Sequence, residues 1–349
     1  SWRFIMATLR VDTVSGIGTE GTVLKGGLRF RSKNYLTLPK GDTTQRGRGR
    51  GLWAGGTTGV SSNIIQYAEL SSQGNTIDFG DLSAVNDSAM ATASATRAVY
   101  GGGRNNPSYY DTIEFVTIAT TSNVTDFGNL TVARSGGQGC GNQTRGLFGP
   151  GFSPAGSPTT VNTIDFITIT TLGNAQDFGD FTEVIRVGAL SSPTRGIFAG
   201  GYGPSSPNIF NTIQFVTIST TGNGQDFGDM STSRGNMSGG MCASTTRGLL
   251  AGGFVYPSPY PRVNLIDFIT IATTGNSIDF GDLTVTGEGA GANSNSLRGV
   301  FGGRTNPSKQ QVIDFVEIAT TGNAVDFGDM LNVFANCAGT SDSNGGLAE

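Results

Sequence analysis

Residues 162–179 read Asn162-Thr-Ile-Asp-Phe-Ile-Thr-Ile169-Thr-Thr-Leu-Gly173-Asn174-Ala-Gln-Asp177-Phe-Gly179, two apolar segments on either side of a turn. Ile164, Phe166, Ile167 and Ile169 place β-branched or aromatic side chains on both faces of the first segment. That is the pattern of a strand covered on both sides. The Gly-Asn pair marks a tight hairpin, because glycine accepts positive φ.

The same landmarks recur six times. Asp-Phe-Gly begins at Asp78, Asp126, Asp177, Asp226, Asp279 and Asp326, at intervals of 48, 51, 49, 53 and 47 residues. An arginine opening a short glycine-ended strand keeps step at Arg50, Arg97, Arg145, Arg195, Arg247 and Arg298. Small-residue stretches such as Gly239-Gly-Met-Cys-Ala-Ser244 lead into these arginines. Each unit therefore reads as four short strands, and no segment shows the helical period. The first unit starts at its second strand, Arg50 to Gly56, and the segment Met330–Ala338 occupies a first-strand position at the far end. That segment is predicted to complete the first unit and leave no open edge. The tail Asn344–Glu349 reads as the start of a further second strand, too short for a seventh unit.

The unit resembles the kelch repeat, which forms four-stranded propeller blades. A double glycine ends the second strand at Gly55-Gly56, Gly101-Gly102, Gly200-Gly201, Gly252-Gly253 and Gly302-Gly303, and the third unit departs with Gly149-Pro150-Gly151. The third strand carries an aromatic at Tyr67, Phe115, Phe166, Phe215, Phe268 and Phe315. Where kelch units have a tryptophan, this chain has Phe79, Phe127, Phe178, Phe227, Phe280 and Phe327. The resemblance implies an all-β chain: a six-bladed kelch-like β-propeller over residues 46–349, closed by a C-terminal strand, behind a short β-rich N-terminal arm, residues 1–45. With Trp53, Tyr100, Phe148, Phe198, Phe301 and the aliphatic Leu250 on the second strands, these rings are expected to pack between blades as core.

Composition narrows the function. Charged residues are 14% of the chain, about half the usual share, and glycine reaches 55 residues. With 0 His, no histidine triad, histidine–metal site or histidine base can form. The 3 Cys argue against a disulfide framework. No apolar run approaches the roughly 18 residues of a membrane span, so no membrane insertion is expected. No secretory leader is expected either, and residues 1–5 precede a Met6-Ala7 pair that reads as a start. The net charge of −4 conceals an asymmetry. Residues 1–50 hold ten Arg and Lys against three Asp and Glu, +7, and the rest hold twelve against twenty-three, −11. An acidic body disfavours nucleic acid as a partner.

Several groups invite chemistry. The Asp-Phe-Gly carboxylates, with Asp81, Asp180, Asp229, Asp282 and Asp329 following, could ring calcium. The structural alternative pairs them with the repeat arginines or with turn amides, and intrablade ion pairs are the expectation. Cys140, Cys242 and Cys337 fall on first strands at what reads as one register, either a three-thiolate metal site or small buried residues. The buried reading is preferred, so no metal and no cofactor are expected. Asp-Phe-Gly also occurs in kinases, but six copies in a strand repeat without a nucleotide loop exclude that reading.

The loops between second and third strands vary most, and antiparallel strands place them all on one face. They supply Arg104, Tyr109, Tyr110, Tyr202, Tyr256, Tyr260 and Arg304 as candidate binding residues for a host-surface glycan or protein. The arm alternates weakly through Leu9-Arg-Val11, Thr22-Val-Leu24, Leu28-Arg-Phe30 and Tyr35-Leu-Thr-Leu38, and Arg10, Lys25, Arg29, Arg31 and Lys33 would dock it on an acidic partner or in an oligomer. The Thr-Ile-Asp-Phe, Thr-Thr-Gly-Asn and Asp-Phe-Gly-Asp units behind Met6-Ala-Thr-Leu-Arg-Val-Asp-Thr13 are similar to repeat proteins of tailed marine bacteriophages. That similarity implies a non-enzymatic virion structural protein: a fibre, tail or capsid decoration component joined to other virion proteins through its arm. A cytoplasmic kelch-type protein-binding scaffold is the alternative, and a glycan-active propeller enzyme the third reading.

Overall fold

The computed structural model describes residues 37–38, 41–42, 49–154, 160–181, 186–203, 209–237 and 239–347. The chain divides at Arg46/Gly47 into two units. In the first, a two-residue antiparallel ladder pairs Thr37–Leu38 with Gly41–Asp42. Arg10, Lys25, Arg29, Arg31 and Lys33, the expected docking residues, lie outside the described residues.

The second unit is a six-bladed β-propeller. Blade one comprises Ala338–Ser341, Arg50–Ala54, Ser62–Glu69 and Ile77–Asn86, from the innermost strand outward. Blade two runs Met90–Ala93, Arg97–Gly101, Thr112–Thr117 and Thr125–Asn129. Blade three runs Gly139–Gly141, Arg145–Phe148, Thr163–Thr168 and Gln176–Asp180. Blades four and five repeat the order from Gly188–Ser191 to Gln225–Asp229 and from Met241–Ala243 to Ile278–Asp282. Blade six runs from Gly291–Ser294 to Val325–Phe334. Each innermost strand neighbours the next around the circle, and Ala338–Ser341 bridges blade six to blade two.

The C-terminal strand closes the ring, but three residues further on than its composition suggested. Met330–Phe334 extends the outer strand of blade six, where Phe334 faces Gln310. Thr340, not a residue of that segment, opposes Leu52 as Cys140 opposes Leu147. The tail is not a further second strand. Beyond Ser341 it turns across the channel end: Gly346 donates to Asn344 Oδ1 at 2.9 Å, and Leu347 is buried. At Gly345 a Cβ would collide with the Ser191 and Ser244 carbonyls of blades four and five.

Six hydrophobic clusters fill the six spaces between blades. One joins Leu52, Ile65 and Phe79 of blade one to Ala91, Tyr100 and Val116 of blade two, and another joins Val300, Ile313 and Phe327 of blade six to Trp53, Ala68 and Leu70 of blade one. The outer-strand phenylalanines are buried core, as expected, whereas the third-strand rings Tyr67, Phe115, Phe166 and Phe268 are partly buried and pack against it. In every blade the third-strand ring meets the outer-strand phenylalanine edge-on, with centroids 5.7 to 6.1 Å apart. Such pairs contribute about 0.5–1.5 kcal/mol beyond buried area.

The repeat arginines do not pair with the repeat aspartates. Each guanidinium lies 4.4 to 4.9 Å over the third-strand ring of its own blade. Each also donates to a carbonyl at the end of the next blade's third strand: Arg50 to Ile118, Arg97 to Ile169, Arg145 to Ile218, Arg195 to Ile271, Arg247 to Ile318 and Arg298 to Leu70, at 2.8 to 3.2 Å. Ion pairs within a blade form at only two of these sites, Arg50–Glu69 and Arg298–Glu317, and both use third-strand glutamates. Asp177 accepts the Gly179 amide at 3.0 Å.

The Thr-Thr-Gly-Asn turns form a second set of links between blades. The side-chain oxygens of Asn75, Asn123, Asn174, Asn223, Asn276 and Asn323 accept outer-strand amides of the preceding blade, at Asp329, Asp81, Asn129, Asp180, Asp229 and Asp282, over 3.0 to 3.1 Å. The turn backbone adds bonds such as Gly173 N–H to Phe127 O at 2.8 Å. This covers outer-strand edges that would otherwise offer unpaired backbone groups. The glycine of Asp-Phe-Gly permits the approach. Gly128 has φ of 148°, and a Cβ there would run into the Gly173 carbonyl.

Candidate recognition face

Antiparallel pairing puts the Thr-Thr-Gly-Asn turns and the repeat arginines on one face of the ring, here the turn face. Loops between second and third strands share the opposite, loop face with the connectors from one blade to the next. The ring begins on the turn face: Gly49 O accepts the Leu70 amide at 2.6 Å, and Arg50 N–H reaches Asp342 Oδ1 at 2.8 Å.

Beneath the loop face lie three fully buried ion pairs: Arg134–Asp165 at 3.1 Å, Arg234–Asp267 at 2.8 Å and Arg304–Asp314 at 2.6 Å. Arg304, one of the candidate binding residues, is fully buried with its charge paired. It points inward to the third strand of its own blade. Arg104 stands one place further along than Arg304: it bridges to Asp87 of the preceding connector as Thr305 bridges to Glu288. In blade two the residue equivalent to Asp314 is Glu114, which accepts the Ser83 amide of the preceding blade at 3.1 Å as Asp314 accepts the Thr284 amide. Arg104 instead pairs with Asp87 at 2.9 Å. Burial works against its charge, but Asp87 and Tyr109 more than offset this and hold its pKa above the ordinary value. Burial outweighs the ion pair at Arg134 and Arg234 and lowers both.

The tyrosines divide into two groups. Tyr109 packs on Phe152 at 5.5 Å, and half-buried Tyr110 donates from its hydroxyl to Val85 O at 3.4 Å. Tyr202, Tyr256 and Tyr260 come together through Phe254, which lies 6.1 Å from Tyr202 and 5.5 Å from Tyr260. Tyr256 follows at 6.3 Å from Tyr260 and is 53% exposed. The Arg186 guanidinium stands 5.9 Å over the Tyr202 ring. Residues 155–159 and 204–208 of these loops lie outside the described residues.

A polar run borders the larger group. Arg186 donates to Asn236 Oδ1 at 3.4 Å, Asn236 donates to Glu288 Oε2 at 2.9 Å, and Arg262 binds Glu288 Oε1 through Nε and Nη2 at 3.0 and 2.7 Å. Arg186 and Asn236 are two of the connector residues with left-handed backbone, at φ of 54° and 51°. Phe254, Arg186, Asn236, Arg262 and Glu288 escaped the sequence reading. One signal was available: the residue that follows the second-strand glycines, seven places after the repeat arginine, is aromatic at Phe152, Tyr202 and Phe254 but is Thr57, Arg104 and Thr305 in the other blades.

The cysteines do not share a register. Cys140 and Cys242 face Leu147 and Leu249, but Cys337 precedes the closing strand. All three are free and buried, in three different inter-blade clusters, and burial pushes the Cys337 thiol up to about 12. Among the described residues no three His, Cys, Asp or Glu side chains converge. The central channel holds about 40 Å³, room for a few waters, between Thr92, Cys140, Ser191, Asn293 and the tail residues Asn344 and Gly345.

Fold and face together define a β-propeller with a structurally uniform side and a variable, aromatic side. The chain matches no protein-family model and no curated protein.

Proposed function

We propose that the chain is a non-enzymatic structural protein of a tailed-phage virion, a fibre, tail or decoration component of kelch-like build. Its basic arm docks on the particle and its loop face meets the host surface. The observation that carries this reading is the placement of the two ends of the job. The ring begins at Gly49 and Arg50 on the turn face, and the exposed aromatic group at Tyr256 lies on the loop face. An object tethered from the first side presents the second.

The regularity of the ring supports a structural role. Catalytic sites depart from the repeat around them, whereas the repeated arginines, turn asparagines and Asp-Phe-Gly glycines here are occupied with joining blades. Mass spectrometry and antibody labelling of purified particles from the phage whose genome encodes the chain test the proposal. The chain should copurify with particles, and a form lacking residues 1–45 should fold yet fail to join them. A chain found only in the host cytoplasm, bound to host proteins, would overturn the virion reading in favour of the scaffold.

A further inference from the structure

We infer that the aromatic group on blades four and five is a subsite for an uncharged saccharide; this rests on the loop face being the recognition side. Three features converge. First, Tyr202, Phe254, Tyr260 and Tyr256 form a continuous ladder with steps of 6.1, 5.5 and 6.3 Å, ending in a ring that is 53% exposed. A pyranose offers a flat C–H face of similar width to such rings, and a tyrosine surface is rigid at low entropic cost.

Second, the ladder is edged by hydrogen-bonding groups held in place by one another. Glu288 fixes both Arg262 and Asn236, and Asn236 in turn meets Arg186. A ligand with apolar faces and hydroxyl edges matches a platform of rings with a polar border; an apolar peptide would leave that border unused. Third, the border holds two guanidiniums and one carboxylate, and one of the guanidiniums is paired. Glu288 is shared by Arg262 and Asn236, and Arg186 lies between the Tyr202 ring and Asn236. That leaves one cation, Arg186, set in an acidic body that repels anions. The central channel, with about 40 Å³, is too small for a sugar ring, which leaves the surface platform as the place for one.

The test is an array of neutral and acidic oligosaccharides probed with the full-length chain, followed by saturation-transfer NMR on the strongest neutral binder. At least one neutral oligosaccharide should bind. Tyr256→Ala should weaken that binding at least tenfold, and Tyr256→Phe, which keeps the ring, should retain it. Absence of neutral binders, binding confined to acidic saccharides, or equal binding by Tyr256→Ala overturns the inference. If Tyr256→Ala still abolishes host-cell attachment in those cases, the loop face remains the recognition side and its ligand is not a saccharide. If attachment also survives, the recognition reading fails with it.

Discussion

The two faces of the ring are built by the same repeat and obey different constraints. On the turn face six equivalent asparagines, six arginines and the Asp-Phe-Gly glycines each meet a backbone group of a neighbouring blade. A backbone partner is the same whatever the neighbour's sequence, so the motif can repeat unchanged and the last blade can join the first by the same bonds, as Asn75 to Asp329 and Arg298 to Leu70 do. On the loop face the partners are side chains. Arg104 and Arg304, one place apart in the repeat, go to different carboxylates, and the aromatic ladder is built where Tyr202 and Phe254 stand in place of Thr57, Arg104 and Thr305 of other blades. Uniform contacts produce a rigid ring, and individual contacts produce a surface that can differ between blades.

The largest effect should come from beneath the loop face. Asp165→Ala leaves Arg134 buried without its partner and should cost about 3–5 kcal/mol in denaturant unfolding. Blade one shows an uncharged solution, with Gln66 at the same place accepting from the Thr76 hydroxyl at 2.6 Å. Replacing the pair together, Arg134→Met with Asp165→Gln, should therefore recover most of the loss. A double variant no better than the single one would mean that the charge pair itself holds the connector.

On the turn face, Gly128→Ala should destabilise by about 1–3 kcal/mol, since its Cβ meets the Gly173 carbonyl and φ is 148°. The same exchange at Gly322, where an added Cβ meets nothing within 4 Å, should be milder. Equal losses at the two sites would show that close approach between blades is not what the Asp-Phe-Gly glycine serves.

The smallest expected effect concerns the point where the ring begins. Burial holds the Asp342 carboxyl above its ordinary range, although it accepts the Arg50 amide. The folded state thus favours the protonated acid. The stability this group lends is fully present below its unfolded pKa, about 3.9, and is lost as pH rises through the raised folded value. Asp342→Asn should remove that decline. The check is the difference in melting temperature between the two proteins from acid to neutral pH, which should narrow at low pH and widen at high pH.

The six blades were legible because the aromatics and glycines that make them recur at fixed places, and burial follows from that pattern. Closure by a C-terminal strand was legible too, but not its register. Met330–Ala338 and Ala338–Ser341 are both small and apolar enough for an inner strand, and only pairing with Leu52 and Gln310 separates them. The arginine partners were misread because a sequence displays carboxylates and hides carbonyls. Arg304 reads like Arg104 because both follow a glycine pair, but Arg304 stands one place earlier, where blade two has Gly103, and there it meets Asp314. The polar border of the aromatic ladder was hidden for a similar reason: Arg186, Asn236 and Glu288 come from successive connectors about fifty residues apart.

The central claim, that one face holds the ring and the other recognises, is tested most directly by measuring melting temperature and host-cell binding on two variants side by side. Asn174→Ala with Asn223→Ala removes two turn-face links and should lower the melting temperature by a few degrees while the folded protein still binds. Tyr256→Ala should abolish or sharply weaken binding at an unchanged melting temperature. The account is contradicted if the asparagine variant loses binding while remaining folded, or if the tyrosine variant binds host cells as well as the unaltered protein.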